Sequence, residues 1–252
     1  MCSSDLHSQD CSVSVSGMLC KIAELITEVP DIGGLAPRVR DYLWDGDEEP
    51  DIVIRESNFR PNAWKGAPYD LYCYMESGAD FYANLLYHEG MMLHASAVAY
   101  DGRAYLFSGP SGVGKTTHTK LWQQIFGDEA VVINDDKPAL RFRDGRWYAY
   151  GTPWCGKDGI NLNRKVPLAG ICFLEQGEEN SISLLSAKDA IPLIMPQTMY
   201  RFKRPDKPSL LLEHMNLLML SVPMFLLVNR ADPECARMSY SHMLRHAEER
   251  GL

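Results

Sequence analysis

The sequence has no C-x-x-C pair, no basic stripe and no uninterrupted apolar run long enough to cross a bilayer. Each absence excludes something. Its seven cysteines, Cys2, Cys11, Cys20, Cys73, Cys155, Cys172 and Cys235, are odd in number and scattered. Neither a zinc site nor a disulfide framework is expected from that spacing, and reduced cytosolic thiols are the simplest reading. With 25 Lys and Arg against 33 Asp and Glu, the formal net charge is −8. That balance argues against a nucleic-acid partner, but not against phosphate, which backbone N–H groups bind locally. The most apolar stretch, 209–228, is interrupted by Glu213, His214, Asn216 and Pro223. A spanning helix needs about 20 mostly apolar residues, so this stretch reads as a buried helix followed by a strand, with no membrane role. The first 17 residues show neither a basic nor an apolar signal region, and a cytoplasmic location is expected.

What is present is an ordinary globular composition, 46% hydrophobic and 23% charged over 252 residues, which predicts one large domain with at most a small appendage. Residues 1–15 are rich in Ser and Asp and are expected to lack order. Residues 19–29 fit a helix or a strand equally well. Residues 69–74 alternate and read as a strand, and 80–88 have helical spacing. The expected organisation is an N-terminal α+β region over 1–85, packed on a second domain over 86–252.

The middle of the chain is more regular. MMLHASAVAY and RAYLFSG flank Asp101-Gly102, and ALRFR and RWYAYG flank Asp144-Gly145. Both are strand–turn–strand signatures of a hairpin. Residues 116–126 predict a helix closed by Gly127, 130–134 a short strand, 166–176 a buried strand, and 182–185 another. Pro208 opens a helix to about Ser221, PMFLLV is a strand, and Asp232-Pro233 caps a last helix.

Gly109-Pro110-Ser111-Gly112-Val113-Gly114-Lys115-Thr116 fits G-x-x-x-x-G-K-[ST] in full, between a predicted strand and a predicted helix. In such a phosphate-binding loop the glycines let successive N–H groups curl around phosphate oxygens, the lysine reaches the β- and γ-phosphates, and the Thr hydroxyl ligates magnesium. Thr117 follows directly.

Asn134-Asp135-Asp136 ends the next strand, with room for only one helix and one strand in between, as in a single βαβ crossover. One carboxylate can hold magnesium and the other can take a proton. Their mutual repulsion raises the pKa of one of them. His94 lies on the strand paired with the one entering the loop, and reads equally as a functional or a core residue. The segment Gly151–Lys157 reads either as pocket lining, with Lys157 or Arg164 meeting phosphate, or as a turn with Trp154 packed inward. Cys155 has no paired base. His88, His118, His214, His242 and His246 form no convincing ligand set.

Together, His94, the hairpin, GPSGVGKTT and the closely following Asp pair resemble the catalytic core of the HPr kinase/phosphorylases. The loop also resembles that of the phosphoenolpyruvate carboxykinases. The resemblance is specific over about 90–140 and looser to about 185. It implies an α/β fold with a P-loop-containing core of that type: a mixed sheet, β-hairpins and C-terminal helices. It further implies that Gly109, Pro110, Ser111, Gly112, Val113, Gly114, Lys115, Thr116 and Thr117 bind ATP, and that Thr116 and Asp136 bind Mg. By the same resemblance Asp135 is the base, assisted or oriented by His94. The kinases of this group assemble as homo-oligomers.

Two departures stand out. The kinases usually carry Ser and an acidic residue after the loop Lys, where this chain has Thr116 and Thr117, and the segment with which they grip their protein substrate is not recognisable in this sequence. The chain is also too short for a complete carboxykinase. The expected activity is an ATP- and Mg-dependent transfer of phosphate to a hydroxyl of a peptide, protein or small molecule. A non-catalytic ATP-binding regulator and a reversible phosphorylase or pyrophosphate-linked enzyme remain the alternatives.

Overall fold

The structure, a computed structural model, describes residues 17–199, 204–230 and 232–252. The Ser-rich segment 1–15 lies outside the described residues. The first element is a hairpin of β1 (Met18–Ile22) and β2 (Leu25–Val29), which settles the ambiguous 19–29 stretch as strand. Its turn residues Ala23 and Glu24 sit at φ 52 and 65, a conformation for which Asn and Gly are the usual signal. After α1 (Leu35–Val39), β3 (Ile52–Val53) adds parallel to β2 and completes a three-stranded sheet.

Residues 69–74, expected as a strand, instead open helix α2 (Tyr69–Leu85). Pro68 stands at its N-cap, and the buried residues Cys73, Tyr74, Ser77, Gly78, Phe81, Tyr82 and Leu85 follow a helical repeat. A six-residue alternation does not outweigh that longer stripe.

The remaining strands form one sheet of nine. They are β4 (Gly90–Met92), β5 (Ala95–Tyr100), β6 (Arg103–Ser108), β7 (Val131–Asn134), β8 (Ala139–Arg143), β9 (Arg146–Tyr150), β10 (Lys165–Gln176), β11 (Ser181–Leu184) and β12 (Met224–Asn229). Both Asp-Gly hairpins form, β5–β6 and β8–β9, with positive φ at Asp101, Gly102, Asp144 and Gly145. The run MMLHASAVAY does not form one strand. It breaks at Leu93-His94, so that β4 pairs with β8 while β5 pairs with β6 and β7. The long β10 ties the sheet together, antiparallel to β9 at its start and parallel to β6 and β12 further on. The protein is thus α/β with a mixed sheet.

Helices cover both faces of its centre. Val98, Tyr105 and Phe107 pack on α3 (Lys115–Phe126) and α6 (Pro233–Glu249) through Leu121, Trp122, Ala236 and Met243. Ala97, Leu106 and Ile133 face α4 (Ala187–Ile194) and α5 (Lys207–Ser221) through Ala190, Ile194, Leu211, Met215 and Leu218. Burial on both faces is why β5 and β6 read as nearly continuous apolar runs. Helix α5 itself is not fully buried, because Leu212 and Leu220 remain exposed on its outer side. Among the described residues no helix is long and apolar enough to cross a membrane. A third cluster joins β1, β2 and α2 to Ala139 and Tyr150 of the large sheet and to Trp154 just after β9, which brings α2 beside the segment after β9.

Candidate active site

Strand β6 is buried from Ala104 onward and delivers the chain to the glycine loop 109–114, which opens α3. Gly109, Gly112 and Gly114 have φ of 145, 85 and 112. A Cβ on Gly109 would also be crowded, 3.1 Å from Val113 Cγ1 and 3.3 Å from Leu174 O. Gly114 is the N-cap of α3 and offers no side-chain cap, so the free N–H groups of the first turn remain available to an anion. Lys115 curls back, its Nζ donating to Gly109 O at 2.9 Å and Pro110 O at 3.2 Å. Burial pushes its pKa down, against the opposing pull of Asp136. Thr116 is half-buried, and Pro110, Ser111 and Thr117 are exposed. The loop forms one wall of a cleft of about 590 Å³ whose other walls are the end of β10 and the segment Pro192–Gln197.

The carboxylates are set by Asn134. Its Nδ2 donates to Thr152 O and Trp154 O, and its Oδ1 accepts the backbone N–H groups of Asp136 (3.0 Å) and Lys137 (2.7 Å). This is an Asx turn, in which a side chain substitutes for a backbone turn bond. It sends the two acids in different directions. Asp135 Oδ1 accepts Gly156 N–H at 2.6 Å, and a Cβ on Gly156 would lie 2.9 Å from Asp135 Oδ2. Burial raises the Asp135 pKa, the Gly156 N–H partly offsets this, and the neighbouring charge of Asp136 adds to it.

Asp136 behaves oppositely. Burial would raise its pKa, but His94 and Lys137 outweigh burial and hold the carboxyl well below the usual carboxylate range. His94 Nε2 donates to Asp136 Oδ1 at 2.9 Å, and Lys137 Nζ donates to Oδ2. His94 therefore pairs with Asp136 and not with Asp135, the carboxylate it was expected to orient, because the Asx turn points Asp135 toward Gly156. Nor does His94 sit on a strand; it occupies the break between β4 and β5. Its Nδ1 lies 3.0 Å from Gln197 Oε1, its N–H donates to Gln197 O, and its own carbonyl accepts Ser108 Oγ at 2.8 Å. Ser108 directly precedes the glycine loop, and Gln197 lines the cleft in front of it.

Of the two alternatives expected for the segment after β9, the inward-packed turn is the one that forms, and the segment does not line the glycine-loop cleft. Trp154 is packed inward, stacked on Phe81 at 4.8 Å between ring centroids, with Nε1 donating to Ser77 Oγ. Gly156 meets Asp135. Lys157 and Arg164 are exposed. Burial pushes the Cys155 thiol up, although Asn161 and Tyr74 hydrogen-bond to it, and a raised thiol is a poor nucleophile.

Four further histidines fill structural positions: His118 on Ser239, His214 on Leu86 O, His242 on Met238 O and His246 on Glu249. Among the described residues no group of three or more His, Cys, Asp and Glu side chains is arranged around a metal. Sequence reasoning missed Gln197, Lys137 and the positioning role of Asn134. An Asn directly before two acids at a strand end was the available signal for the last.

Residues 73–201 match a family model described as SynChlorMet cassette protein ScmC. That segment holds the glycine loop, His94, Asp135, Asp136 and Gln197. No curated protein matches the chain. Among solved structures the chain is similar to the Hpr(Ser) kinase/phosphatase from Coxiella burnetii, at 11% identity and a TM-score of 0.35, over 63% of this chain and 95% of that one. The family match covers just over half of the 252 residues, and the chain belongs to the SynChlorMet cassette protein ScmC family.

Proposed function

We propose that this protein is an ATP- and magnesium-dependent phosphotransferase that acts on a hydroxyl acceptor. The observation that carries the reading is the approach of two features to each other: Gln197 lines the glycine-loop cleft and holds His94, which pairs with Asp136, and the charge of Asp136 reaches Lys115. One is a glycine loop at an uncapped helix N-terminus with a buried lysine. The other is a pair of adjacent carboxylates driven in opposite directions, Asp135 raised and Asp136 lowered. Titratable neighbours whose environments push them apart are the pattern expected of a base beside a permanently ionised partner.

The residues fit a nucleotide with magnesium. Gly112 and Gly114 have open space where side chains would stand, so loop N–H groups can approach phosphate oxygens closely. Lys115 is held among loop carbonyls that a phosphate would replace. Thr116 and Asp136 offer oxygen donors, and each Asp136 oxygen keeps a second lone pair beyond those used by His94 and Lys137. Magnesium at phosphate sites needs only one or two protein ligands. When bound, the ion supplies charge neutralisation across the β- and γ-phosphates.

Asp135 takes the acceptor's hydroxyl proton as the hydroxyl oxygen bonds to the γ-phosphorus. The bond from that phosphorus to the bridging oxygen breaks, and ADP leaves. Lys115 balances negative charge on the phosphates. His94, fixed by Gln197 and Ser108, holds Asp136 in place. The 1–85 region contributes α2, whose packing on Trp154 supports the segment that holds Asp135.

The test is transfer of label from γ-labelled ATP with magnesium to a panel of hydroxylated peptides and small molecules. Lys115→Ala should lower turnover by roughly 10²–10³-fold, the scale seen when one charge-stabilising donor is removed. Unchanged turnover in that variant would sink the assignment. Tight ATP binding by the unaltered protein without transfer to any acceptor would favour a regulatory nucleotide-binding role.

A further inference from the structure

A second cavity, of about 140 Å³, lies between α2 and the segment after β9. Trp64, Met75, Tyr82, Met92, Trp154 and Met199 line it, with Ala79 on α2 and Lys137 among its wall residues. It meets the site already described at two points. Lys137, in its wall, donates to Asp136. Met199, also in its wall, follows two residues after Gln197, which lines the loop cleft and holds His94. The His94–Asp136–Lys137 group therefore links a residue of the cleft wall to a residue of this cavity's wall.

The chemistry of the lining defines the guest. The polar handles of its aromatic residues are already used inside the protein. Tyr82 OH donates to Lys137 O, Trp154 Nε1 donates to Ser77 Oγ, and Trp64 Nε1 donates to Glu76 Oε1. The Arg60 guanidinium at the rim is paired with Glu76. What remains facing the cavity is ring surface and thioether, which favours an uncharged apolar guest. A cavity of about 150 Å³ takes one benzene ring.

We propose that this cavity is the acceptor pocket and that it takes an acceptor carrying a single aromatic ring, or an apolar group of that size, close to the hydroxyl that receives phosphate. The inference rests on the phosphotransferase reading for the word acceptor, but not for the binding of a ring. The same chemistry occurs in a peptide with an aromatic residue beside serine and in a free aryl alcohol.

The experiment uses the full chain and three probes: the blocked dipeptides acetyl-Ser-Phe-amide and acetyl-Ser-Ala-amide, and 2-phenylethanol. Each is titrated calorimetrically and assayed for label transfer from γ-labelled ATP. Ala79→Phe, which puts a ring into the cavity, is run in parallel, with ATP binding as its check of folding. The Phe dipeptide or the aryl alcohol should bind roughly 10–100-fold more tightly than the Ala dipeptide, from burial of one ring. The better of the two identifies the source, and Ala79→Phe should abolish the difference. If Ala79→Phe binds no ATP, the probe ranking on the unaltered protein decides alone. Equal binding of all three probes overturns the pocket. Transfer to both dipeptides at equal rates overturns it too, while leaving the phosphotransferase standing. Ring-selective binding with no transfer to any probe removes the phosphotransferase reading and leaves a ring-binding site.

Discussion

His94 Nε2 stands 2.9 Å from Asp136 Oδ1, one residue on the break between β4 and β5 and the other just past the end of β7. Strand β5 pairs with β7, and Asp136 O accepts the N–H of Ala95, the residue after His94. The pairing of the two side chains is thus fixed by the backbone on both sides. The imidazole is further held by Gln197 and the His94 carbonyl by Ser108. A side chain held this way serves its partner's position and charge more than it serves binding.

His94→Ala should accordingly separate turnover from nucleotide binding. Loss of a partner that orients an active group costs roughly 10–100-fold. The loss should fall on kcat, with the KM for ATP little changed. Asp136 would lose one of the two groups that hold its pKa down, but the acidic limb of the pH–rate profile should stay where it is, because it reports Asp135, the carboxyl of the pair whose pKa is raised. A rise in the KM for ATP with kcat unchanged would place His94 in nucleotide binding instead.

The glycine loop, both Asp-Gly hairpins and the adjacent acids were legible in the sequence because each is a local device whose residue types are required where they stand. The partner of His94 was not. Gln197 is 103 positions away in the chain, and no local pattern links the two. Which of Asp135 and Asp136 meets His94 was hidden for a different reason: it depends on the Asn134 side chain acting as a turn, and Asn134 reads equally well as a strand end. The β1–β2 hairpin was obscured because Ala23 and Glu24 adopt positive φ without the residues that usually announce it. Helix α2 was misread at its start because Tyr69–Tyr74 alternates over too short a span to compete with the buried stripe that continues to Leu85.

His118 lies outside the candidate chemistry and should govern stability in acid. It is buried on α3, with Nε2 3.0 Å from Ser239 Oγ and its ring against Phe107. Burial pushes its pKa down to about 3, against about 6.5 in an unfolded chain. Protons then bind the unfolded state more readily. The stability contributed by neutral His118 is complete above about pH 6.5 and is lost progressively as pH falls toward the folded value, at about 1.4 kcal/mol per pH unit. Urea unfolding at pH 7 and pH 5 should therefore show a drop that is smaller by about 2 kcal/mol in His118→Gln, which cannot titrate. Equal drops in the two proteins would show that other groups govern the acid response.

Gly78 is a helix-interior glycine retained for close approach. A Cβ there would lie 2.7 Å from Trp154 Cδ1. Alanine would normally gain about 0.5–1 kcal/mol of helix stability at such a position. Here it must displace Trp154 from its stack on Phe81, and overpacking of this kind costs about 1–3 kcal/mol. Gly78→Ala should therefore lower Tm, by about 2–4 °C for each kcal/mol lost. A higher Tm would mean that Trp154 moves aside at no cost.

Asp135 should show the opposite sign, because its environment disfavours the ionised carboxylate. Burial raises its pKa, Gly156 N–H relieves part of that cost, and the charge of Asp136 adds to it. A carboxyl whose folded pKa lies above its unfolded value is destabilising once ionised, and the full cost is present at neutral pH. Asp135→Asn removes the charge and keeps an oxygen to accept the Gly156 N–H. It should raise stability at pH 7 by about 0.5–2 kcal/mol while abolishing label transfer, since the amide cannot take a proton. The gain should shrink as pH falls through the folded pKa and Asp135 in the unaltered protein becomes neutral. Paired melting curves at pH 7 and pH 4 read the difference directly. A gain independent of pH would trace the effect to packing, and a loss of stability together with loss of transfer would make Asp135 a structural carboxylate whose hydrogen bond to Gly156 matters more than its basicity.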